Sequence, residues 1–419
     1  MLDSEITNSA RLPVALPETT SERRLAEAAA RPLPEIGTTA RILLLCARES
    51  LEDEHVELIR RLCGQVADWG MFIRQAEFRL IVPLVYRHLS ALDDQAVPEE
   101  AMAELKARTR SAMIRNLAMT GIHHRLVRDI LRPLEVPYLF FKGPSLAYRY
   151  YREPGLRQFR DIDLLIPRRH MVRVGKQARE AGFRPHEDPA WGTDDGLRFL
   201  QRYSGMMNWI SPEDVLVEMP SSLDGDWDRL PTDELIEQAE TVEVAGLTVP
   251  VPKTADFICY LFKHHSRHHW ARLHWIADLN AILDHPETDL PEILDRARTR
   301  GFERTVKAAC AIHQAVAQAE PWKASFDDPF AHELFRHCLT NLEGDFEQEL
   351  ALRETFPATS IDIDLKRRQR RYWLQRNLVR FRPRTEDFLE RPLPARCHFL
   401  YYLLRPLLYL GRVRDQKSA

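Results

Sequence analysis

Two short segments in the middle of this 419-residue chain constrain its fold most strongly. The first, residues 136–145, is an apolar run that ends in Gly143-Pro144, a pattern that predicts a strand, a glycine turn and the start of a helix. The second, Asp161–Ile166, predicts another strand. Residues two apart in a strand point to the same face, so Asp161 and Asp163 project together. Two neighbouring carboxylates repel each other unless a cation lies between them, and the pair therefore predicts a metal site.

A third carboxylate would complete a site for two magnesium ions, which bind carboxylate and phosphate oxygens. The best candidate is Glu218, a charge at the end of the apolar strand predicted over 215–219. Such a charge is costly to bury without a partner or a metal. The alternative is that Asp161 and Asp163 are exposed residues paired with Arg157 or Arg160. The Asp-Ile-Asp sequence recurs at 362–364 without a glycine turn before it, so the tripeptide alone is weak support.

The glycine turn predicts a phosphate-binding site beside these acids. Gly143 lets the backbone approach a phosphate closely, Ser145 adds a hydroxyl, and Lys142 and Arg157 add cations. The alternative is an ordinary strand–helix turn. No Gly-x-Gly-x-x-Gly, Walker lysine or Gly-x-Ser-x-Gly motif accompanies it.

A histidine-rich segment, 264–274, falls within residues 254–283, which contain neither Gly nor Pro and predict one long helix. On such a helix His264, His268 and Arg272 lie on one apolar stripe. A spacing of four also suits zinc, but the glutamate that zincins place after the first histidine is replaced by His265. Two interpretations remain open, a structural interface and a polar wall of the active cleft. Arg267 and Asp278 either anchor the helix or contact substrate.

A basic run over 366–384 contains nine Lys or Arg, no acid, and three interleaved aromatic residues. A single-stranded nucleic-acid groove has this composition. A solvated helix with its aromatic side packed inward also has it, and we favour that interpretation.

Composition excludes several classes of protein. The formal net charge of −3 argues against a polyanion-binding protein as a whole. Six scattered cysteines without a Cys-x-x-Cys pair predict free thiols in a reducing, cytoplasmic compartment. We expect neither a secretory signal nor a membrane span, because no apolar run approaches the required length of about 20 residues.

The chain divides by pattern into four parts. Residues 1–37 predict a mobile N-terminal tail, 38–132 a helical N-terminal region, 133–252 a small α/β core and 253–419 a helical C-terminal region. Within the core, the strands predicted over 206–210 and 215–219 follow the acid strand, and 242–251 predicts a hairpin or an edge strand. The predicted fold class is α+β.

Two blocks of the sequence resemble a family of uncharacterised bacterial nucleotidyltransferases in the DNA polymerase beta-like superfamily. The first comprises Phe141-Lys142-Gly143, Gly155-Leu156-Arg157 and Asp161-Ile162-Asp163-Leu164-Leu165-Ile166. The second is a pattern of His, Arg, Trp and Asp over 264–278, and the run 403–406 is similar too. The sequence departs from the superfamily in its Gly143-Pro144 turn, where Gly-Ser or Gly-Gly is usual. It also departs in having Glu218 where relatives often have Asp, followed by Pro220 where they have His.

The resemblance implies a mixed sheet with flanking helices and two Mg²⁺ (or Mn²⁺) ions held by Asp161, Asp163 and a third acid. The expected activity is transfer of a nucleoside monophosphate from an NTP, with ATP as the first candidate, to an unidentified small molecule, peptide or protein. Two alternatives stay open: a non-catalytic nucleotide- or peptide-binding helical module, and an enzyme that modifies nucleic-acid ends with the basic run.

Overall fold

The structure is a computed structural model that describes residues 31–92, 96–225, 229–344 and 382–405. Residues 1–30 of the predicted mobile tail, most of the basic run and the second Asp-Ile-Asp lie outside the described residues. Among the described residues, no helix combines the length and the apolar character needed to cross a membrane.

The N-terminal region is helical, as its three- and four-residue apolar spacing predicts. The Asp68 side chain accepts a hydrogen bond from the Met71 N–H and so caps the third helix. The fifth helix is the longest of the region, since no proline interrupts residues 99–131, and it continues into a π-helix over Leu126–Leu131. The helices are α1 Thr38–Leu45, α2 Asp53–Cys63, α3 Trp69–Phe78, α4 Val82–Ser90 and α5 Glu99–Arg125.

The central region contains a five-stranded mixed sheet. Its strands are β1 Leu139–Phe140, β2 Asp161–Leu165, β3 Arg184–Pro185, β4 Met206–Ile210 and β5 Leu216–Pro220. They lie in the order β1-β2-β5-β4-β3, with β2 and β5 parallel and the other neighbouring pairs antiparallel. The helices that connect them are α6 Pro144–Tyr150, α7 Met171–Glu180 and α8 Asp194–Phe199. The α+β class is therefore confirmed.

A separate hairpin follows the sheet, as one of the two interpretations of 242–251 predicts. After α9 Thr232–Glu237 come β6 Glu240–Val244 and β7 Leu247–Val251. Its two-residue turn has positive φ at both Ala245 and Gly246, the conformation that matches the twist of paired strands.

The C-terminal region is again helical. Asp289 and Asp328 side chains cap the third and fifth of its helices by accepting backbone N–H groups. The helices are α10 Thr254–Arg267, α11 Leu273–Leu283, α12 Leu290–Arg300, α13 Glu303–Val316, α14 Pro329–Glu343 and α15 Thr385–Glu390.

The N-terminal and C-terminal helices share one hydrophobic core, which also receives Leu139, Phe141 and Leu165 from the sheet. The buried Arg79 connects the two regions, because its guanidinium donates to the carbonyls of Asn341 and Leu342 at 2.9 and 2.8 Å. A second core lies on the opposite face of the sheet and contains Ile162 and Leu164. The predicted alternation of the acid strand is therefore confirmed: its apolar positions enter this second core.

Helix α5 passes behind β1, where the His123 ring lies against Phe140 with the ring centroids 3.6 Å apart. Burial lowers the pKa of His123 from 6.5 to about 3, since an imidazolium would be desolvated there. The folded protein therefore holds His123 neutral in a range where the unfolded chain binds a proton.

Acidification should consequently destabilise the fold through His123. Its contribution is fully present above pH 6.5 and is lost as the pH falls toward about 3. For His123→Phe, we expect the loss of unfolding free energy between pH 8 and pH 5.5 to be about 1.4 kcal/mol smaller than in the wild type. Urea unfolding at both pH values measures this, and equal pH dependence in the two proteins would contradict it.

Candidate functional site

The pairing of β2 with β5 brings the three predicted acids to one face of the sheet. Asp163 lies directly opposite Glu218 in the parallel register, and Asp161 is two residues earlier on the same strand. Residues directly opposite each other on neighbouring strands point to the same face. Asp163 and Glu218 are only 2% and 7% exposed. Two carboxylates from distant parts of the chain are thus buried side by side.

Lys142 is the cation that lies next to this acid pair. Its Nζ is 3.3 Å from Asp163 Oδ1 and lies 5.7 and 5.6 Å from the ring centroids of Phe141 and Tyr260. Burial alone would lower the pKa of Lys142. The negative charges around it, of which Asp163 contributes most and Tyr260, Asp161 and Glu218 add more, together outweigh burial and raise the pKa of Lys142 above its usual value, so the ammonium stays charged. Its predicted contact with phosphate remains a prediction.

Gly143 shapes the turn that leads from β1 to α6. It has φ 55° and ψ −130°, a conformation that residues with a Cβ rarely adopt. A Cβ at this position would lie 3.0 Å from the carbonyl oxygen of Asp161. The glycine therefore allows the turn to pack directly against the start of the acid strand.

Ser145, the predicted hydroxyl donor of the turn, is directed elsewhere. Its side chain is buried and its Oγ lies 3.4 Å from His123 Nε2. This contact joins α6 to α5. In this arrangement Ser145 has a structural partner, and its role in nucleotide binding stays untested.

Arg157 and Asp278, predicted separately as a phosphate ligand and a cleft residue, bind each other. Arg157 donates from Nε and Nη2 to the two carboxylate oxygens at 2.7 and 2.9 Å, and both side chains are buried. Tyr151 also donates to Asp278 at 2.8 Å, and Arg157 Nη1 reaches the Gly143 carbonyl oxygen at 3.4 Å. The pair therefore anchors the glycine turn to α11.

The prediction of one continuous histidine helix is wrong. Helix α10 ends at Arg267 and α11 begins at Leu273. Between them, His269 and Trp270 both have positive φ, which is unusual for residues other than glycine. Trp270 is fully buried, packs against Phe262 and donates from Nε1 to Ser266 Oγ at 3.2 Å. Burial of this indole favours the sharp turn over another helical turn.

The turn still brings the predicted histidines together around one tryptophan. The His264 and His268 rings are 4.8 Å apart and lie 6.0 and 5.5 Å from the Trp275 ring. His264 also lies 5.9 Å from Tyr260, the residue next to Lys142. Burial and the positive charge of Lys142 hold the pKa of His264 well below its usual value, so it is neutral at pH 7.

The two arginines of the segment occupy different positions. Arg267 is exposed at the end of α10. Arg272 immediately precedes α11, and its guanidinium lies 5.7 Å from the Trp275 ring centroid. The histidine cluster thus has an aromatic and cationic edge, and it connects to the acid pair through Tyr260 and Lys142.

The acid face fits a divalent cation in one specific respect. Asp163 Oδ2 is buried and has no hydrogen-bond partner. Within the described ranges, no group of three His, Cys, Asp or Glu side chains converges tightly enough to hold a metal by itself. Magnesium is commonly bound by one or two carboxylates together with substrate phosphates, so the donor set suits an ion that arrives with a nucleotide.

Sequence reasoning missed several residues that build this site. Asn116 of α5 donates to the Arg157 carbonyl at 2.7 Å, and Tyr151 binds Asp278. Tyr260 covers Lys142, and the same charges that act on Lys142 act on its phenol. Burial raises the pKa of Tyr260 to about 12, although the Lys142 ammonium opposes this shift. Tyr260 falls on the predicted helix, but no periodic pattern indicates that it meets a lysine from another segment.

We expect Gly143→Ala to destabilise the protein by about 1–3 kcal/mol, because alanine is strained at this φ and crowds Asp161. The matched control is Gly121→Ala in α5, where a Cβ meets nothing within 4 Å. There alanine should stabilise the helix by about 0.5–1 kcal/mol. Denaturant unfolding measures both variants, and equal effects would contradict the proposed strain.

We expect Asp278→Asn to cost about 3–5 kcal/mol of unfolding free energy, because it leaves the buried Arg157 without its counter-charge. Asp233→Asn is the control, since its ion pair with Arg169 has a similar length of 2.7 Å but is exposed. That change should cost less than about 1 kcal/mol. If the two variants were equally stable, the buried pair would not anchor the turn.

Comparison with protein families connects this geometry to a known group. A comparison with curated proteins finds none that matches the chain. A family model described as uncharacterised nucleotidyltransferase matches residues 65–318, more than half of the chain, and this span includes the glycine turn, the acid strands and the histidine cluster. The chain therefore belongs to this family of nucleotidyltransferases.

Proposed function

We propose that this protein transfers a nucleoside monophosphate from a nucleoside triphosphate, with ATP as the first candidate, to an acceptor nucleophile. The single observation that carries the proposal is the register of β2 and β5, which sets Asp163 directly opposite Glu218 on one sheet face. The Gly143 turn and Lys142 border the same acids. Acids and a lysine beside a glycine turn suit phosphoryl chemistry, which depends on positioning and charge neutralisation.

In this proposal Asp161, Asp163 and Glu218 would hold Mg²⁺ or Mn²⁺. When bound, the ion would neutralise phosphate charge and polarise the phosphorus that is attacked. The partnerless Oδ2 of Asp163 supports its assignment as a ligand. Placement in the wider DNA polymerase beta-like superfamily is part of the same proposal and rests on the resemblance of the acid strand and the glycine turn.

Residues of this chain carry out the other steps of the proposed reaction. The Gly143 turn receives the phosphates, and Lys142 contributes positive charge beside them. Glu218 accepts the proton of the acceptor hydroxyl as the hydroxyl oxygen bonds to the α-phosphorus; where Glu218 serves as a ligand instead, that proton passes to solvent water. The bond from that phosphorus to the pyrophosphate oxygen breaks, and pyrophosphate leaves. Arg157 and Asp278 act as positioning residues, because they hold the turn through the Gly143 carbonyl.

The histidine cluster forms one wall of the cleft in this proposal. Neutral imidazoles donate and accept hydrogen bonds without adding charge. His264 Nδ1 is buried and has no hydrogen-bond partner, which leaves it available to a ligand. His268, Arg267 and Arg272 extend the wall, whose ligand is the nucleotide or the acceptor.

A second candidate is a protein that binds nucleotide without transferring it. The ion pair between Lys142 and Asp163 favours this alternative, because the ammonium already neutralises one of the acids. The two functions differ in their product: transfer releases pyrophosphate and binding alone does not.

We expect Asp161→Asn to reduce Mg²⁺-dependent nucleotidyl transfer roughly 100-fold or more, since it removes a carboxylate at the reacting phosphate. The fold should survive, because Asp161 is only partly buried at a strand end. The assay measures pyrophosphate release and incorporation of label from α-labelled triphosphates in the presence of cell extract.

Asp362→Asn is the matched control, because it changes the same position of the second Asp-Ile-Asp in the sequence. It should leave both signals unchanged. Equal activity in wild type and Asp161→Asn would remove the proposal. Tight triphosphate binding without pyrophosphate release across a broad panel of acceptors would favour the binding function.

A further inference from the structure

The acids are part of a longer polar row that crosses the sheet. In the antiparallel pairing of β4 with β5, Asn208 lies directly opposite Glu218. His186 follows β3, and its backbone N–H donates to the Asn208 carbonyl at 3.0 Å, which continues the β3–β4 pairing by one residue. Asp163, Glu218, Asn208 and His186 therefore succeed one another across four strands. With neighbouring strands about 4.8 Å apart, the row is about 14 Å long.

The two residues at the far end carry polar atoms without partners. Asn208 Oδ1 and His186 Nδ1 are both buried and have no hydrogen-bond partner. An unpaired buried acceptor is costly because it has lost its hydrogen bonds to water, so such groups generally mark a ligand or a functional constraint. The neighbouring positions of β4, Met207 and Trp209, enter the second core on the opposite face of the sheet. Strand alternation therefore directs the Asn208 side chain to the face that carries the acids.

The two ends of this polar row have different surroundings. The Gly143 turn and Lys142 lie at its Asp163 end, where the proposed function places the triphosphate. Glu218 stands between that end and Asn208. A group that receives the nucleotide must approach from the side opposite the leaving pyrophosphate, which is the side of Asn208 and His186.

Glu218 lies directly opposite Asn208, so a carboxylate borders the far end of the row. This carboxylate repels a phosphate-bearing acceptor and favours one that is neutral or cationic and rich in hydrogen-bond donors.

We propose that Asn208 and His186 form the acceptor subsite, and that the acceptor is a hydroxyl-bearing molecule or peptide side chain without phosphate. This inference rests on the proposed function, because it needs a nucleotide at the Asp163 end. Asn208 Oδ1 would accept a hydrogen bond from the acceptor and so hold its hydroxyl beside Glu218. The carboxylate of Glu218 disfavours nucleic acid, the other class considered, and label on the oligonucleotide in the test below would contradict the subsite.

The test uses the full chain with α-labelled ATP, Mg²⁺ and four defined acceptors. Two are hydroxyl compounds without phosphate, N-acetylserine amide and ethanolamine, and two carry phosphate, glycerol 3-phosphate and a short oligonucleotide with a free 3′ hydroxyl. We expect label on the first two. Asn208→Ala and His186→Ala should each raise the acceptor KM about tenfold, as expected for one lost buried hydrogen bond, while the Kd for ATP changes less than twofold.

Asn341→Ala is the matched control, because Asn341 is also a buried amide without side-chain partners but lies on α14. It should leave both constants unchanged, and thermal unfolding checks that each variant is folded. Failure of the wild type to bind ATP would overturn the proposed function itself. If ATP binds, then label mainly on the phosphate-bearing compounds, label on none of the phosphate-free ones, or an unchanged acceptor KM in both variants would overturn the acceptor subsite alone.

Discussion

The buried ion pair between Arg157 and Asp278 connects the parts of this molecule that form the proposed site. Arg157 lies between the glycine turn and the acid strand, and Asp278 lies on a C-terminal helix more than 100 residues away in sequence. Because both charges are removed from water, each requires the other, and loss of one leaves a costly charge in the interior. Through the Gly143 carbonyl and Tyr151, the pair fixes the position of the turn relative to α11. The ion pair thereby also fixes the position of the histidine cluster relative to the acid face.

Alternate residues of β2 and β5 project to opposite faces of the sheet, one face apolar and the other carrying the acids. One set of positions on β2 and β5, including Ile162 and Val217, enters the second core. The alternate set carries Asp163 and Glu218, which remain almost fully buried although their face is polar. Burying adjacent carboxylates costs free energy that ordinary packing does not return. One oxygen of Asp163 also lacks any hydrogen-bond partner, and this uncompensated cost supports the proposal that the acids bind a charged ligand.

Much of the central fold could be predicted from sequence because its signals are local. The β4 boundaries match the prediction and β5 differs by one residue, since apolar runs bounded by a Ser-Pro-Glu-Asp turn define both strands. The break between α10 and α11 could not be predicted, because no Gly or Pro marks it. Only the burial of Trp270 in a three-dimensional pocket explains the two left-handed residues. Local propensity thus gives way to tertiary packing at that point.

In the candidate site, too, local features could be predicted from sequence and long-range contacts could not. That Asp161 and Asp163 share a face follows from the period of two in a strand, but which strand lies beside them depends on a pairing between residues about 55 positions apart. The partner choices of Arg157, Asp278 and Ser145 likewise depend on long-range packing. The sequence predicted phosphate contacts for Arg157 and Ser145, because polar residues near a glycine turn commonly bind ligands, and for Asp278 it left open an anchoring role or a substrate contact.

Lys142 illustrates how one internal cation can serve both stability and chemistry. Its ammonium offsets part of the repulsion in the acid row and is held against Phe141 and Tyr260. A divalent ion entering with phosphates would compete with it for Asp163, while the phosphates themselves attract the ammonium. If the Lys142 ammonium moved from the Asp163 carboxylate to a phosphate, the divalent ion would take its place beside Asp163. Each anion would then still have a cation next to it. The same lysine would then stabilise the acid row before the nucleotide binds and the phosphates after it binds.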